Sequence, residues 1–375
     1  PLMKILFLTA DLGGNIPPTL AVAEALTRAG ATVEFAGLPA GRTPFVEVPF
    51  APATAISPEP GVKRSRGAGA LLRLMAGRRT SDAAAALITE RGCDVVVIDC
   101  MTLAPIRGAL TTTAPVVLLF HTLGAFWVRD FDRGPRGRLL AMLGVRPKKL
   151  WDAADARLLV TDAELDPARD DPALAGFEGT GTTEIGAEPG ARGARPRVLV
   201  ALSSTEWPGM LPVYRRIVEA ISDLPIDAVV TTGGAELGGD LVGTANVEVR
   251  GWVAHDELLP GVDLLIGHGG HSTTMKALAH GIPLLIIPIN PTADQKLMGA
   301  TMQAAGLGQW LPKSASVQSI RDAVSNLLGA STGGEHTRAT AAATGRRLRA
   351  AVPGAEVAAA RILAIAGAAT SQTLR

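Results

Sequence analysis

The sequence predicts an α/β protein made of two parallel-sheet domains, and three observations carry that reading. Short, continuously apolar runs alternate with longer helical patterns, the mark of strands buried on both faces under helices. The alternation breaks at 184–197, a stretch rich in Gly, Pro and Arg and poor in apolar residues, and then restarts. The 375 residues suffice for two full cores, since a domain takes about 100–200 residues.

Residues 3–9 (MKILFLT) read as the first buried strand. Pro17 and Pro18 open a helix that runs through Ala29, because the first helical turn has no intrahelical partners for the N–H groups that proline lacks. A second strand covers 32–38, and a basic, Gly-rich stretch at 57–68 reads as a loop. Strands at 94–99, 115–120 and 156–162 complete the first half. After the 184–197 linker come strands at 197–202, 227–232, 246–250, 263–267 and 283–288. The Ala-rich segment 334–368 reads as two helices broken at Pro353-Gly354. Right-handed crossovers make each half a Rossmann-like sheet, with ligands expected beyond the carboxyl ends of its strands. The expected division is 1–190, 191–353, and a terminal helix and tail at 354–375 that packs back on the first domain.

Composition removes several function classes. Thirty-six basic against 35 acidic side chains leave a net charge of +1, without the basic excess of a dedicated nucleic-acid binder. Two cysteines build no disulfide framework, so a reducing, cytoplasmic setting is the expectation. No signal peptide and no membrane span is read from the chain. Cys93 and Cys100 lack zinc-site spacing and are expected to be buried. No Walker run or early dinucleotide fingerprint occurs, which removes support for ATP hydrolysis and nicotinamide chemistry. Residues 129–138 with Phe126, Trp127 and Phe131 read as an amphipathic loop, either the lining of an acceptor mouth or, the favoured reading, a solvated face.

The most informative stretch runs from Gly251 to Gln295. A strand ends at His268-Gly269-Gly270-His271, and Ser272-Thr273-Thr274 open a helix. Glycines admit a ligand close to the backbone, and free N–H groups at a helix start attract anions. A histidine beside them adds a donor, charged or neutral. This set of groups suits a diphosphate held without a metal.

The order Trp252, His268-Gly-Gly-x-Ser-Thr-Thr, Gly281-Ile-Pro and Asp294-Gln295 resembles the donor-binding signature of nucleotide-sugar-dependent glycosyltransferases of the GT-B fold. The branch is the one holding UDP-glycosyltransferases and the bacterial enzymes that decorate natural products. The resemblance covers the C-terminal half strongly, and the N-terminal half in strand order and in its opening pattern at 13–26. It implies two Rossmann-like domains facing across a cleft. Trp252 is then implied to stack on the nucleobase and Val253 to read its edge. His268, Gly270, Ser272 and Thr273 are implied to hold the diphosphate, with Ser203, Ser204 and Thr205 as a second phosphate loop. Asp294 and Gln295 are implied to bind sugar hydroxyls. Many relatives carry a glutamate for the ribose where this chain has Lys276, and a lysine accepts no hydrogen bonds. That departure suits a thymidine diphosphate donor.

Transfer to a hydroxyl needs a group to take its proton, and histidine titrates near neutrality. The resemblance implies a histidine after the first strand, yet this chain has Asn15 there, and its first histidine is His121. Three candidates for the base stay open: Asp99 and His121, each at a strand end, and Asp11 in the Asn15 loop. Asn15 shifts the expected acceptor towards phenols, amines or aromatic carbons.

The expected function is an inverting, metal-independent transfer of a hexose or deoxyhexose from a UDP- or TDP-sugar to a small, largely apolar natural-product acceptor. No cofactor, no nucleic acid and no metal is expected, and a homodimer is left open. Two alternatives stay beside it: an inactive nucleotide-binding auxiliary protein, and a nucleotide-sugar epimerase of related fold.

Overall fold

The computed structural model describes residues 2–56, 67–190, 193–203 and 207–373. Its contacts divide into two compact units, Pro1–Thr183 with Val352–Arg375, and Glu184–Ala351.

The first unit contains β1 (Lys4–Leu8), α1 (Ile16–Arg28), β2 (Thr32–Ala36), β3 (Val46–Val48), α2 (Ala51–Thr54), α3 (Gly67–Ala76) and α4 (Arg78–Arg91). It continues through β4 (Val95–Asp99), α5 (Leu103–Ala109), β5 (Val116–Phe120), a π-helical turn at Phe126–Asp132, α6 (Pro135–Met142), α7 (Pro147–Asp152), β6 (Ala156–Leu159) and β7 (Phe177–Gly179). All strands pair in parallel in the order β3-β2-β1-β4-β5-β6-β7. The central β4 and β5 are buried at every residue, as strands covered on both faces must be, and that is why they read as unbroken apolar runs.

The second unit holds β8 (Arg197–Ala201), α8 (Met210–Ile221), β9 (Asp227–Thr231), β10 (Val247–Arg250), α9 (His255–Leu258), β11 (Leu264–Gly267) and α10 (His271–Ala279). Then follow β12 (Leu284–Ile286), α11 (Gln295–Ala304), β13 (Gly308–Trp310), α12 (Val317–Leu328) and α13 (Thr332–Ala350). Its sheet is also parallel, in the order β10-β9-β8-β11-β12-β13. Val200, Tyr214, Ile217 and Ile266 lie in a continuous apolar core beneath α8 and α12.

The last helix, α14 (Gly354–Thr373), belongs to the first unit. Ala355, Ala358, Ala359, Ile362 and Ala366 are buried in the same core as Ile5, Val22 and Leu26, and α14 packs on α1. The Thr332–Ala369 segment is, by length and composition alone, apolar enough to cross a membrane. The buried alanine face of α14 is the packing of a core helix.

Three strands escape the apolar pattern: β3, β7 and β13 have three residues each, too few for a periodicity to register. The 129–138 segment is largely helical rather than a loop, and its Arg129, Asp130, Arg133 and Arg138 are exposed. Phe126, Trp127, Val128 and Phe131 are buried; Trp127 meets Phe120 and Trp151 edge-on, Phe126 meets Trp127 edge-on and Phe131 lies tilted against Trp151, while Arg129 pairs with Asp171 at the surface. Of the 57–68 loop, 57–66 lies outside the described residues. The described part of the expected linker lies along the second unit. A Cβ on Gly186 would stand 2.2 Å from the Ala279 carbonyl, and Arg349 bonds both Glu188 and the Ala279 carbonyl.

Candidate functional site

In the first unit the candidate groups gather at the carboxyl ends of β1, β4 and β5. Asp99 ends β4 with its side chain 2% exposed. Its Oδ1 accepts the Met101 N–H at 2.8 Å, and its Oδ2 accepts the Asn15 amide at 2.8 Å. His121 follows β5, and its Nδ1 stands 3.6 Å from the same Oδ2. The ring is 15% exposed, so of the pair it is the histidine that meets solvent.

The backbone holds His121 by other means too. Its carbonyl accepts the Trp127 indole N–H at 2.8 Å, and the two rings meet edge to face. The next residue, Thr122, has φ +70°, and among the described residues no other non-glycine lies in that region. A threonine there stores about 1–3 kcal/mol of strain, which persists only where the surroundings enforce it. Such strain, like the π-turn that follows, concentrates at functional sites.

Asn15 is buried and committed: Nδ2 donates to Asp99, to the Ala10 carbonyl at 2.9 Å and to Thr9 at 3.2 Å, while Oδ1 accepts the Leu12 N–H. It positions Asp99 and is not placed to act on a substrate itself. Asp11 is taken up by an ion pair with Arg42 at 2.7 Å and by the Gly13 N–H.

Asp99, Cys100 and His121 offer one ligand atom each within 4.8 Å, the one such grouping among the described residues. The donor set fits a metal poorly. Burial pushes the Cys100 thiol well above its ordinary range, so it stays protonated, and both Asp99 oxygens already accept hydrogen bonds. Cys93 is a free thiol, half-buried rather than fully buried, and is pushed up to about 11 by burial.

In the second unit the strand–turn–helix expected around the glycines is present: β11 ends at Gly267 and α10 begins at His271, with Gly270 at the N-cap. Gly269 has φ +85°, and a Cβ on it would lie 2.8 Å from the Gln295 carbonyl. A Cβ on Gly270 would fall 2.5 Å from His268 Nε2, so the imidazole lies against a position that admits no side chain. His268 Nδ1 is enclosed and has no hydrogen-bond partner among the described residues. Burial first, then the neighbouring His255, lowers the His268 pKa to about 4. The ring is therefore neutral at pH 7, and of the two forms the sequence allowed it is not the charged donor.

The start of α10 is also not purely electropositive. Ser272 Oγ donates to Glu184 Oε1 at 2.5 Å, and the glutamate's other oxygen is 3.5 Å from Lys276 Nζ. Lys276 further pairs with Asp256 at 3.0 Å. Burial raises the Glu184 carboxyl above its usual range, against the lowering effect of Ser272 and Lys276. Nothing in the sequence signals Glu184, which lies in the Gly/Pro-rich stretch 88 residues ahead of Ser272 and 92 ahead of Lys276; the fold alone brings it there.

Trp252 is 71% exposed, available as a stacking platform rather than used as core. Val253, Thr273 and Asp294 are partly exposed, with Asp294 at the N-cap of α11. Gln295 is buried, and its Oε1 accepts the N–H groups of Ile289 and Asn290 at 2.8 Å each, so that oxygen is spent on the loop and is not the expected sugar acceptor. Ser203 is half-buried just past β8, while Ser204 and Thr205 lie outside the described residues. A cleft of about 530 Å³ lined by Arg197, Asp227, Asn246, Glu248 and Arg250 lies at the amino-terminal ends of β8 and β9. Open α/β sheets bind ligands at the opposite ends.

Residues 215–361 match the family described as Erythromycin biosynthesis protein CIII-like, C-terminal domain. That part of the chain is similar to such a domain, over well under half of the chain's length. The likeness of the whole chain is one of fold. The glycotransferase of kitacinnamycin superposes with a TM-score of 0.75 at 20% identity, covering 97% of this chain and 99% of that one. VinC, a glycosyltransferase solved in complex with dTDP, gives 0.70 at 20% identity over 98% and 100%. The fold is thus GT-B, as the signature from Trp252 to Gln295 implied. Among curated relatives, demethyllactenocin mycarosyltransferase of Streptomyces fradiae is 39% identical over 120 residues, 31% of this chain and 25% of that protein. The matched stretch thus spans about a quarter of that relative's length.

Proposed function

We propose that this EryCIII-like, GT-B chain is a metal-independent, inverting glycosyltransferase. It would move a hexose or deoxyhexose from a TDP- or UDP-sugar to a small, largely apolar natural product in the cytoplasm. The observation that carries the reading is the notch of β11 and α10. There a neutral His268, whose enclosed Nδ1 has no hydrogen-bond partner among the described residues, lies beside a helix start, where the first N–H groups have no acceptor within the helix. A nucleoside diphosphate supplies the acceptors those groups lack. Exposed Trp252 offers the base a stacking face.

His121 is the proposed general base and Asp99 its positioning partner. With Nδ1–H directed at Asp99, Nε2 carries the lone pair that takes the acceptor's proton, and the carboxylate stabilises the imidazolium that forms. The 3.6 Å separation shortens to a hydrogen bond as the ring gains charge. The acceptor oxygen or nitrogen attacks the anomeric carbon, the bond to the diphosphate oxygen breaks, and the diphosphate leaves with the electron pair. The helix start and the His268 N–H stabilise that leaving charge. No metal step is needed for this balance.

The test is a thermal-shift screen with TDP, UDP and GDP, followed by TDP- and UDP-sugars with phenol, amine and aromatic-carbon acceptors, read by mass spectrometry. A raised melting temperature with TDP or UDP and a glycosylated product are expected. Nucleotide binding without any product would favour the auxiliary-protein reading. Sugar conversion without acceptor would favour an epimerase.

A further inference from the structure

We propose that Glu184 sets the affinity of the nucleotide site, its carboxylate competing with an incoming phosphoryl group for the Ser272 hydroxyl. The proposal rests on the reading that the start of α10 holds a nucleoside diphosphate.

A serine hydroxyl carries one hydrogen, and here it goes to Glu184 Oε1 at 2.5 Å. A phosphoryl oxygen has only lone pairs to offer, so Ser272 serves the carboxylate or the phosphate, not both. Both anions also draw on the same positive helix end, and like charges at hydrogen-bond range exclude each other. Ligand binding therefore requires Glu184 to release Ser272.

The structure provides both the hold and the release. The 184–190 segment is seated on the second unit by the close approach of Gly186 to Ala279 and by the pair between Glu188 and Arg349, which presents the carboxylate to α10. On release, Lys276 remains as a cationic partner 3.5 Å from Oε2, so the glutamate keeps a counter-charge. Burial raises the Glu184 carboxyl, so its ionised form is held there against a desolvation penalty.

Isothermal titration of TDP and UDP into the full chain, and into its Glu184→Gln and Glu184→Ala variants, tests this. Both variants are expected to lower Kd at least threefold for both nucleotides, alanine more than glutamine, whose amide oxygen still accepts from Ser272. Binding by the variants alone would support the proposal in its strongest form. An unchanged or weaker Kd in the variants, with the native protein binding, would overturn it and leave the site reading intact. No binding by any of the three would remove the site reading itself. Glutamine preserves shape and one hydrogen bond, so it keeps the question answerable if the alanine variant unfolds.

Discussion

His121 Nδ1 stands 3.6 Å from Asp99 Oδ2, the same oxygen that accepts the Asn15 amide at 2.8 Å. The two residues are 22 positions apart in sequence and meet because β4 and β5 are neighbours in register, Asp99 opposite Leu119. One carboxylate oxygen thus faces both the imidazole and the amide while the other accepts the Met101 N–H, so the group cannot turn without losing a contact.

Replacing His121 by Gln is expected to lower kcat about 100-fold or more, the usual worth of a positioned base, with the Kd for TDP unchanged. Kinetics with a phenol acceptor and titration of TDP separate the two effects. A rate within threefold of the native enzyme would remove His121 from the mechanism.

Asn15→Ala takes a donor from a buried carboxylate and leaves Ala10 and Thr9 without their partner. Unfolding in urea should show a loss of about 1–3 kcal/mol. The kcat should fall as well, because Asp99 is then free to turn from His121.

For Trp252→Ala the expectation is a split between binding and stability. The side chain is 71% exposed, so the melting temperature should hold within a degree or two. Loss of a stacking face should weaken TDP and UDP about tenfold, from the roughly 1–3 kcal/mol that base stacking contributes. Equal affinities in calorimetry would place the base elsewhere.

His268 has a sign that can be worked out. Its folded pKa of about 4 is below the ordinary 6.5, so the unfolded chain binds a proton first as pH falls. Its contribution is whole above pH 6.5 and is lost as pH drops from there to about 4, by about 1.4 kcal/mol per pH unit in that window. Urea midpoints of the native protein and His268→Gln across pH 4–7 should show a shallower fall for the variant. Parallel curves would mean the ring is solvated.

Much of this protein is determined by local chemistry and was legible without coordinates. Continuous apolar runs such as Val95–Asp99 and Val116–Phe120 can only be strands covered on both faces, and prolines at a helix start or glycines ahead of Ser272 act on their own backbone. Strand ends, and so the positions of Asp99, His121 and His268, follow from that. What the tertiary structure alone decided is lateral: which strand end stands beside which, and which distant side chain arrives at a given group. Asp99 faces His121 through sheet order, the aromatics after Gly124 turn inward onto Trp151, and Glu184 reaches Ser272 from 88 residues away. Three-residue edge strands likewise take their form from a neighbour's hydrogen bonds, because so short a run has no period of its own. Periodicity records what a segment does to itself, whereas partners across a fold depend on packing that no single stretch contains.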